Sequence, residues 1–480
     1  MVSRGPLWAL FALIIYTPLP LASNRPWALV LLGLLTGCLF LWVMWKTDYQ
    51  SASLTWRIAG VPLLLLMLWT GLIGAQLIPL PGSWSHGVQM IFGQRTNMDY
   101  VAMSIDPYST RLYFAKSCIL LAIFWLVVSL VDTRRRIIGL AKVVVVSGMM
   151  QAIIGVVLMA SGATYQLFFV TLEAARAHGT FVSPNQYAGY LELTLAMGVG
   201  LMIAKLSGQS TVNWKQRLHG WLDVVLSEKA MLRLALIIMV VGLVASRSRG
   251  GNSAFFASLL ITGTLAVILM KQTVGKKAGA SSLTMIKTTM FFIVSLIVLD
   301  VAIIGGMVGV EKVVQRIENT NLQAQVVESG RGGQILPKEQ SFEERGEAAM
   351  PALNIVRDFP IFGTGGGTFH LAFPHYRPAE VQGYFDHTHN DYVEIASETG
   401  LAGLLLLSLA VLHSLWQSVK IFMHGDEQIA RGMAFASVMG VVSLLMHGMV
   451  DFNFQNPANA MLFLIILSLP YLLNRCKIKT

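Results

Sequence analysis

The stretch 386-DHTHNDYVEIASETGLAGLLLL-407 ends as an apolar helix fit to enter a membrane, yet it opens on Asp386, His387, His389, Asp391 and Glu394. Titratable groups gathered at the threshold of a span need an explanation, provided that the rest of the chain is membrane protein as well. The composition meets that condition. Of 480 residues 55% are hydrophobic and 12% charged, against roughly 25% charged in a soluble domain.

Counting apolar runs of about 20 residues places twelve spans near 6–22, 27–45, 59–79, 112–131, 137–160, 185–204, 231–246, 251–270, 288–308, 396–416, 432–449 and 458–473. Arg4 ahead of the first run imitates a signal peptide, but Pro20 stands where cleavage wants a small residue, so the run is kept as a span. With the N-terminus inside, the inner segments hold twenty Lys and Arg and the short outer loops hold six. That asymmetry sets both termini inside, and it accounts for the net charge of +10 without a nucleic-acid partner. The chain then divides into nine spans over 1–308, a long outer loop over 309–395 that carries the His motif, and three spans over 396–480. Cys38, Cys118 and Cys476 lie far apart in or beside apolar segments and offer neither a disulfide framework nor a metal-binding spacing. No repeat of 20–50 residues is visible, which argues against a solenoid.

The long loop opens with a charged stretch, Glu311 to Glu328, followed by the flexible "ESGRGGQILPKEQS". "FEERGEAAMPALNIVRD" reads as a short helix along the membrane surface, and "FPIFGTGGGTF" as a series of turns. Gly400 and Gly403 are expected to begin the tenth span. In the outer loop over 80–111, Asp106 before Pro107 is a helix cap, and Ser183 before Pro184 is another.

Basic residues are sparse on the outer face, so those that occur there stand out. "SRSRGGN" (246–252) sets Arg247 and Arg249 in a very short reversal. They either snorkel to lipid phosphates or form an anion-binding corner, with Gly250 and Gly251 letting backbone N–H groups approach a ligand. A guanidinium suits a phosphate because its planar fork donates two parallel hydrogen bonds. Arg176 precedes the helix that Ser183 caps, whose N-terminus points outward and favours an anion; the plainer reading is a capped helix with a stray arginine. Two such anomalies on one face favour a phosphate-bearing ligand there.

Four of the ten histidines, His370, His375, His387 and His389, fall within twenty residues of the outer loop. In an extended segment "HTH" would put both rings on one face, a spacing compatible with a metal, although no HExxH or DxD accompanies it. The alternatives are a structural histidine and a general base, with Asp386, Asp391 or Glu394 to orient it.

"HN" at 389–390, nine residues, Gly400, two residues and Gly403 resemble the H[NSQ]x9Gxx[GTY] pattern of the bacterial O-antigen ligase superfamily, which includes protein-glycosylating oligosaccharyltransferases and Wzy-type polysaccharide polymerases. The resemblance extends to "GTFVSPNQYAGYL", "SRSRGG", "RDFPIFGTGGGTFHLAFPHYR" and "HGMVDFNFQNPA", and so covers roughly residues 100–470. It implies a GT-C-like all-α fold in a bacterial inner membrane, with the site on the periplasmic side. It further implies metal-independent transfer of a glycan from undecaprenyl diphosphate to an acceptor hydroxyl, with no cofactor. Mapped onto this chain, His389 would activate the acceptor, and Arg176 and Arg249, with Arg247 beside them, would hold the diphosphate. His387, Asn390, Asp391, Gly400, Gly403, Asn185 and Arg345 would support them. His447 and Asp451, at the end of the eleventh span, are given a supporting or packing role. The implied partners are the lipid-linked donor, a glycan or lipid A-core acceptor, membrane lipids and, as a candidate, a chain-length regulator.

The long loop departs from a lipid A-core ligase and leans the reading toward a polymerase. A transporter of a polar or anionic solute is the competing class. Its carboxylates or broken helices at the membrane midplane are scarce here, Glu192 and Asp300 being the main exceptions.

Overall fold

The structure is a computed structural model that describes residues 4–81, 100–162, 164–168, 170–172, 175–205, 227–274, 342–379, 381, 385–424 and 427–479, with isolated positions between 291 and 298. In chain order the helices are α1 (Arg4–Tyr16), α2 (Pro26–Lys46), α3 (Tyr49–Ala75), α4 (Pro107–Leu130), α5 (Arg134–Ser161), α6 (Pro184–Ala204), α7 (Glu228–Ala245), α8 (Arg249–Val274), α9 (Phe342–Asp358), α10 (Phe369–Tyr376), α11 (Asp391–His424), α12 (Gln428–His447) and α13 (Pro457–Lys479). Two small antiparallel ribbons join them. In one, β1 (Pro79–Pro81) sets Leu80 opposite Val101 of β2 (Tyr100–Ala102). In the other, β3 (Tyr165–Leu167) sets Gln166 opposite Thr171 of β4 (Val170–Leu172). Among the described residues nine helices, α2–α6, α8 and α11–α13, are long and apolar enough to cross a membrane. The chain is an all-helical multi-pass membrane protein.

Helix starts obey local chemistry. Asp106 accepts Tyr108 N at 3.0 Å and Ser109 N at 3.2 Å, with Pro107 at the first helical position, and Ser183 accepts Asn185 N at 3.3 Å ahead of Pro184. Each cap satisfies donors that no preceding turn can reach. The segment 342–358 is the helix its sequence suggests.

The bundle is organised around α6 and α13, each 94% buried over its apolar window, whereas α2 is 28% buried and sits at the rim. Close packing of α6 on α12 depends on small residues: a Cβ on Gly200 would stand 2.5 Å from Ala436 Cβ, and one on Gly432 2.7 Å from Ala204 N. In lipid the gain from helix association comes from such backbone approach, because hydrocarbon removes most of the hydrophobic driving force. At the end where α3 and α12 finish and α4, α6, α8, α11 and α13 begin, α9 and α10 form a cap. Its core joins Ala348, Ala352 and Ile355 to Phe369, Phe373 and Phe385.

Several expected spans are altered. The first is only the 13 residues of α1, followed by a 3-10 turn at Leu21–Ser23. The third starts ten residues earlier than its apolar run, because Asp48 caps a polar first turn, and it is irregular at Ala59, just before Pro62. The seventh, α7, begins with Glu228, Lys229 and Arg233 and is not among the nine. The tenth begins at Asp391 rather than at Gly400. The ninth, near 288–308, and the loop over 309–341 lie outside the described residues, apart from the isolated positions already noted.

Candidate functional site

Gly400 breaks α11 rather than starting it. Its φ of 69° and ψ of 178° interrupt the helix, so Leu401 N–H cannot return to Ser397. The turn over 360–366 repairs the gap. Leu401 N donates to Pro360 O at 2.8 Å, while the freed carbonyls of Ser397 and Glu398 accept Thr364 N at 2.9 Å and Gly365 N at 3.0 Å. Gln76, just past α3, locks the turn: its Nε2 donates to Phe362 O at 2.6 Å and Glu398 O at 2.9 Å, and its Oε1 accepts Gly366 N at 3.0 Å. These bonds re-pair backbone groups that the break would otherwise leave open inside a membrane protein. A Cβ on Gly400 would lie 2.6 Å from Phe362 N and closer still to the Ile361 carbonyl. Gly403 has a different reason to be small, since a Cβ there would stand 2.5 Å from Thr399 Cβ.

Asn390 caps the first half of α11. Its Oδ1 accepts Tyr392 N at 3.0 Å and Val393 N at 3.1 Å, and its Nδ2 donates to Met449 O at 3.0 Å. Asp391, fully buried, accepts Asn453 N at 2.9 Å and Phe454 N at 3.1 Å, and its own N–H donates to Gly448 O at 2.8 Å. These bonds staple the His motif to the loop between α12 and α13.

The two histidines have different partners. His387 Nδ1 is 2.6 Å from Oε1 of the buried Glu394, whose Oε2 accepts Thr388 N at 3.0 Å. Burial pushes the His387 imidazole toward neutrality, but Glu394, and after it Glu398 and Asp386, outweigh that effect and raise its pKa above the usual histidine value. His389 Nδ1 instead faces Asp451 Oδ1 at 3.8 Å, too far for a hydrogen bond. Both rings rest on Phe452, His387 stacked at 4.2 Å and His389 edge-on at 4.9 Å. An extended strand does not bring them there, because His389 is left-handed with φ of 53°. Of the three acids considered as orienters, Asp386 is exposed, Asp391 is bonded to loop backbone, and Glu394 serves His387. Asp451, expected only to support or pack, is the carboxylate that faces His389.

The arginines gather beside this junction. Arg176 Nε donates to Ser246 O at 2.8 Å and its Nη2 to Asn185 Oδ1 at 3.2 Å, which ties its loop to the turn between α7 and α8 and to the start of α6. Arg247 is left-handed, with φ of 51°, and Ser248 caps α8 by accepting Gly251 N at 3.2 Å. Arg247 and Arg249 are exposed, and among the described residues no side-chain hydrogen bond or ion pair engages them. Gly250 and Gly251 do not open toward a ligand. A Cβ on Gly250 would stand 2.8 Å from Val450 Cγ2, and one on Gly251 2.7 Å from Ala188 Cβ, so both allow α8 to pack on α12 and α6. That contact sets Arg249 next to the loop that holds Asp451. Arg345 lies on α9, with its side chain outside the described residues.

A buried polar group supports the end of α12. His447 Nδ1 is 2.7 Å from Glu192 Oε1, and Ser443 Oγ donates to Glu192 Oε2 at 2.7 Å. Sequence reasoning missed the roles of Gln76 and Phe452 and the pairing of Glu192 with His447. Among the described residues no group of three or more His, Cys, Asp or Glu could hold a metal ion.

No curated protein matches the chain. A family model described as O-antigen ligase matches residues 234–408, a segment that opens in α7, takes in Arg247, Arg249 and the His motif, and closes in α11. Arg176, Asn185 and Asp451 lie outside the matched segment but contact the same junction. Residues 234–408 thus match an O-antigen ligase domain, and they are carried on a multi-pass helical bundle.

Proposed function

We propose that the protein is a metal-independent, inverting glycosyltransferase of GT-C-like architecture. It moves a glycan from undecaprenyl diphosphate to an acceptor sugar hydroxyl on the periplasmic face of a bacterial inner membrane. The observation that carries this reading is His389, held left-handed with Asp451 behind its Nδ1, at the same end of the bundle as the uncommitted guanidinium groups of Arg247 and Arg249. Asp451 favours the proton on Nδ1, which leaves Nε2 as the base. Nε2 takes the acceptor hydroxyl proton as that oxygen attacks the anomeric carbon. The bond from the anomeric carbon to the diphosphate oxygen breaks, and a single displacement inverts the anomeric centre. Arg247 and Arg249 neutralise the departing diphosphate, while Arg176 braces their turn and adds its charge. Among acceptors, the long loop over 309–395 supports the polymerase alternative over the ligase. A chain-length regulator is then an expected partner.

The test uses purified protein and a polyprenyl-diphosphate-linked glycan. His389→Ala should lower turnover by roughly 10²- to 10⁴-fold with donor binding intact, and Asp451→Asn should fall between it and the parent. Near-normal turnover by His389→Ala would remove the histidine from the mechanism.

A further inference from the structure

Beneath Asp391 and Tyr392, between α3, α4, α11 and α13, the bundle holds a cavity of about 310 Å³. Its walls are mainly apolar, Leu120, Leu407 and Phe463 among them, but polar groups interrupt them, including Trp69, Thr70, Lys116 and Asp391. Trp69 Nε1 and Thr70 Oγ1 belong to residues only 7% exposed and have no hydrogen-bond partner among the described residues. Lys116, equally buried, donates to Gln455 Oε1 at 2.9 Å and Gln455 O at 3.3 Å, and its Nζ stands 4.3 Å over the Tyr113 ring. No carboxylate comes within ion-pair distance of it among the described residues, although the buried Glu398, Glu394 and Asp391 act on it from farther away, and an ammonium has three donors. Trp69 packs edge-on against the same Tyr113 ring at 6.0 Å, so the indole N–H and the ammonium flank one aromatic.

This lining specifies a ligand. An indole N–H and a buried cation both require an electron-rich partner, and burial without one is costly. The remaining walls suit hydrocarbon. A volume near the lower end of ligand sites, about 300–1,000 Å³, has room for one chain and not for several. The lysine is level with loops rather than midway down the bundle, because Gln455 belongs to the loop that carries Asp451. None of the lining comes from α6, α7 or α8, the helices whose ends meet at the arginines. The cavity is therefore walled by a different set of helices from the one that carries Arg247 and Arg249.

We propose that this cavity is a second lipid site, which takes the first isoprene units of a single-chain, phosphate-headed lipid with Lys116 as the cation for its phosphate. The inference rests on the reading that His389 deprotonates an acceptor, and it makes the lipid end of that acceptor the occupant. A two-chain glycerophospholipid fits less well, having a second chain that the cavity does not accommodate.

The experiment is photolabelling of the full-length protein in nanodiscs with a diazirine-tailed geranylgeranyl phosphate, and in parallel with a diazirine-tailed phosphatidylglycerol. Polyprenyl labelling should map to residues 66–70, 117–121 and 404–408. It should fall at least tenfold in Leu120→Trp, which fills the cavity, and severalfold in Lys116→Met, with recovery in Lys116→Arg. Ser408→Trp, on a different wall, guards against a folding defect, and each variant is checked for an unchanged melting curve. Label that misses these peptides, that survives both tryptophan variants, or that the phosphatidylglycerol reproduces equally would overturn the site. His389→Ala should label like the parent. Full glycan transfer by that variant would defeat the catalytic reading alone, whereas loss of cavity-dependent label defeats this one.

Discussion

Replacing Gly400 by alanine tests the link between backbone geometry and the site most directly. Two costs add. At φ of 69° and ψ of 178° the backbone lies in a region reserved for glycine, which strains another residue by about 1–3 kcal/mol. The new methyl would also overlap the Ile361 carbonyl and stand 2.6 Å from Phe362 N, so the turn over 360–366 must move. That movement endangers the bonds from Leu401 N to Pro360 O, Thr364 N to Ser397 O and Gly365 N to Glu398 O; losing two of them costs roughly a further 1–3 kcal/mol. Gly400→Ala should therefore destabilise by about 2–6 kcal/mol in total. Gly403→Ala clashes with the Thr399 side chain and merely touches Trp69 Nε1, with no unusual φ to maintain, and should cost about 1–3 kcal/mol. Differential scanning fluorimetry in detergent, read from the native tryptophans, gives the order of the two variants. Turnover at a temperature where both remain folded tests the functional consequence, because the displaced turn is bonded to Ser397 and Glu398, on the half-helix that positions Glu394 and His387. A Gly400→Ala variant that melts with the parent, or a Gly403→Ala variant that melts lower than it, would refute the reasoning.

Arg249→Ala should weaken donor binding by about 1.5–3 kcal/mol, roughly 10- to 150-fold, for a lost charged hydrogen bond, and Arg249→Lys by less; binding measured with undecaprenyl diphosphate decides, and unchanged affinity returns the residue to lipid snorkelling. Arg176→Lys should instead lower the melting temperature, since the bonds to Ser246 O and Asn185 Oδ1 need a planar fork; a parent-like melt with weakened donor binding would make Arg176 a direct ligand. Because the pKa of His387 is raised, its pairing with Glu394 stabilises the fold fully below the ordinary histidine range and loses that contribution as pH rises through the raised value. The melting advantage of the parent over His387→Gln should accordingly shrink as pH rises from the ordinary histidine value through the raised one, and parallel curves would disprove it. Transfer should survive exhaustive chelation; activity lost with EDTA and restored by one divalent ion would shift the chemistry to a metal.

The sequence alone determined whatever depends on neighbours along the chain. Low charge and apolar runs made it a membrane protein, Asp106–Pro107 and Ser183–Pro184 fixed two helix starts, and 342–358 announced its helix, because caps and amphipathic spacing act within a turn or two. It also marked His389, Arg247 and Arg249 as out of place. Only the tertiary structure decided their relations. The acid behind His389 comes from Asp451 at the far side of α11 and α12, whereas the nearer Glu394 turns to His387 and Asp391 to the backbone of Asn453 and Phe454. Gly250 and Gly251, which in sequence suggest a ligand cradle, are small because α12 and α6 press against them. Gly400 looks like the start of a span but is its break, since the partners that satisfy the interrupted backbone are the turn over 360–366 and Gln76 at the end of α3. Every such assignment depends on which remote segment reaches a side chain first, and that is set by how the helices pack.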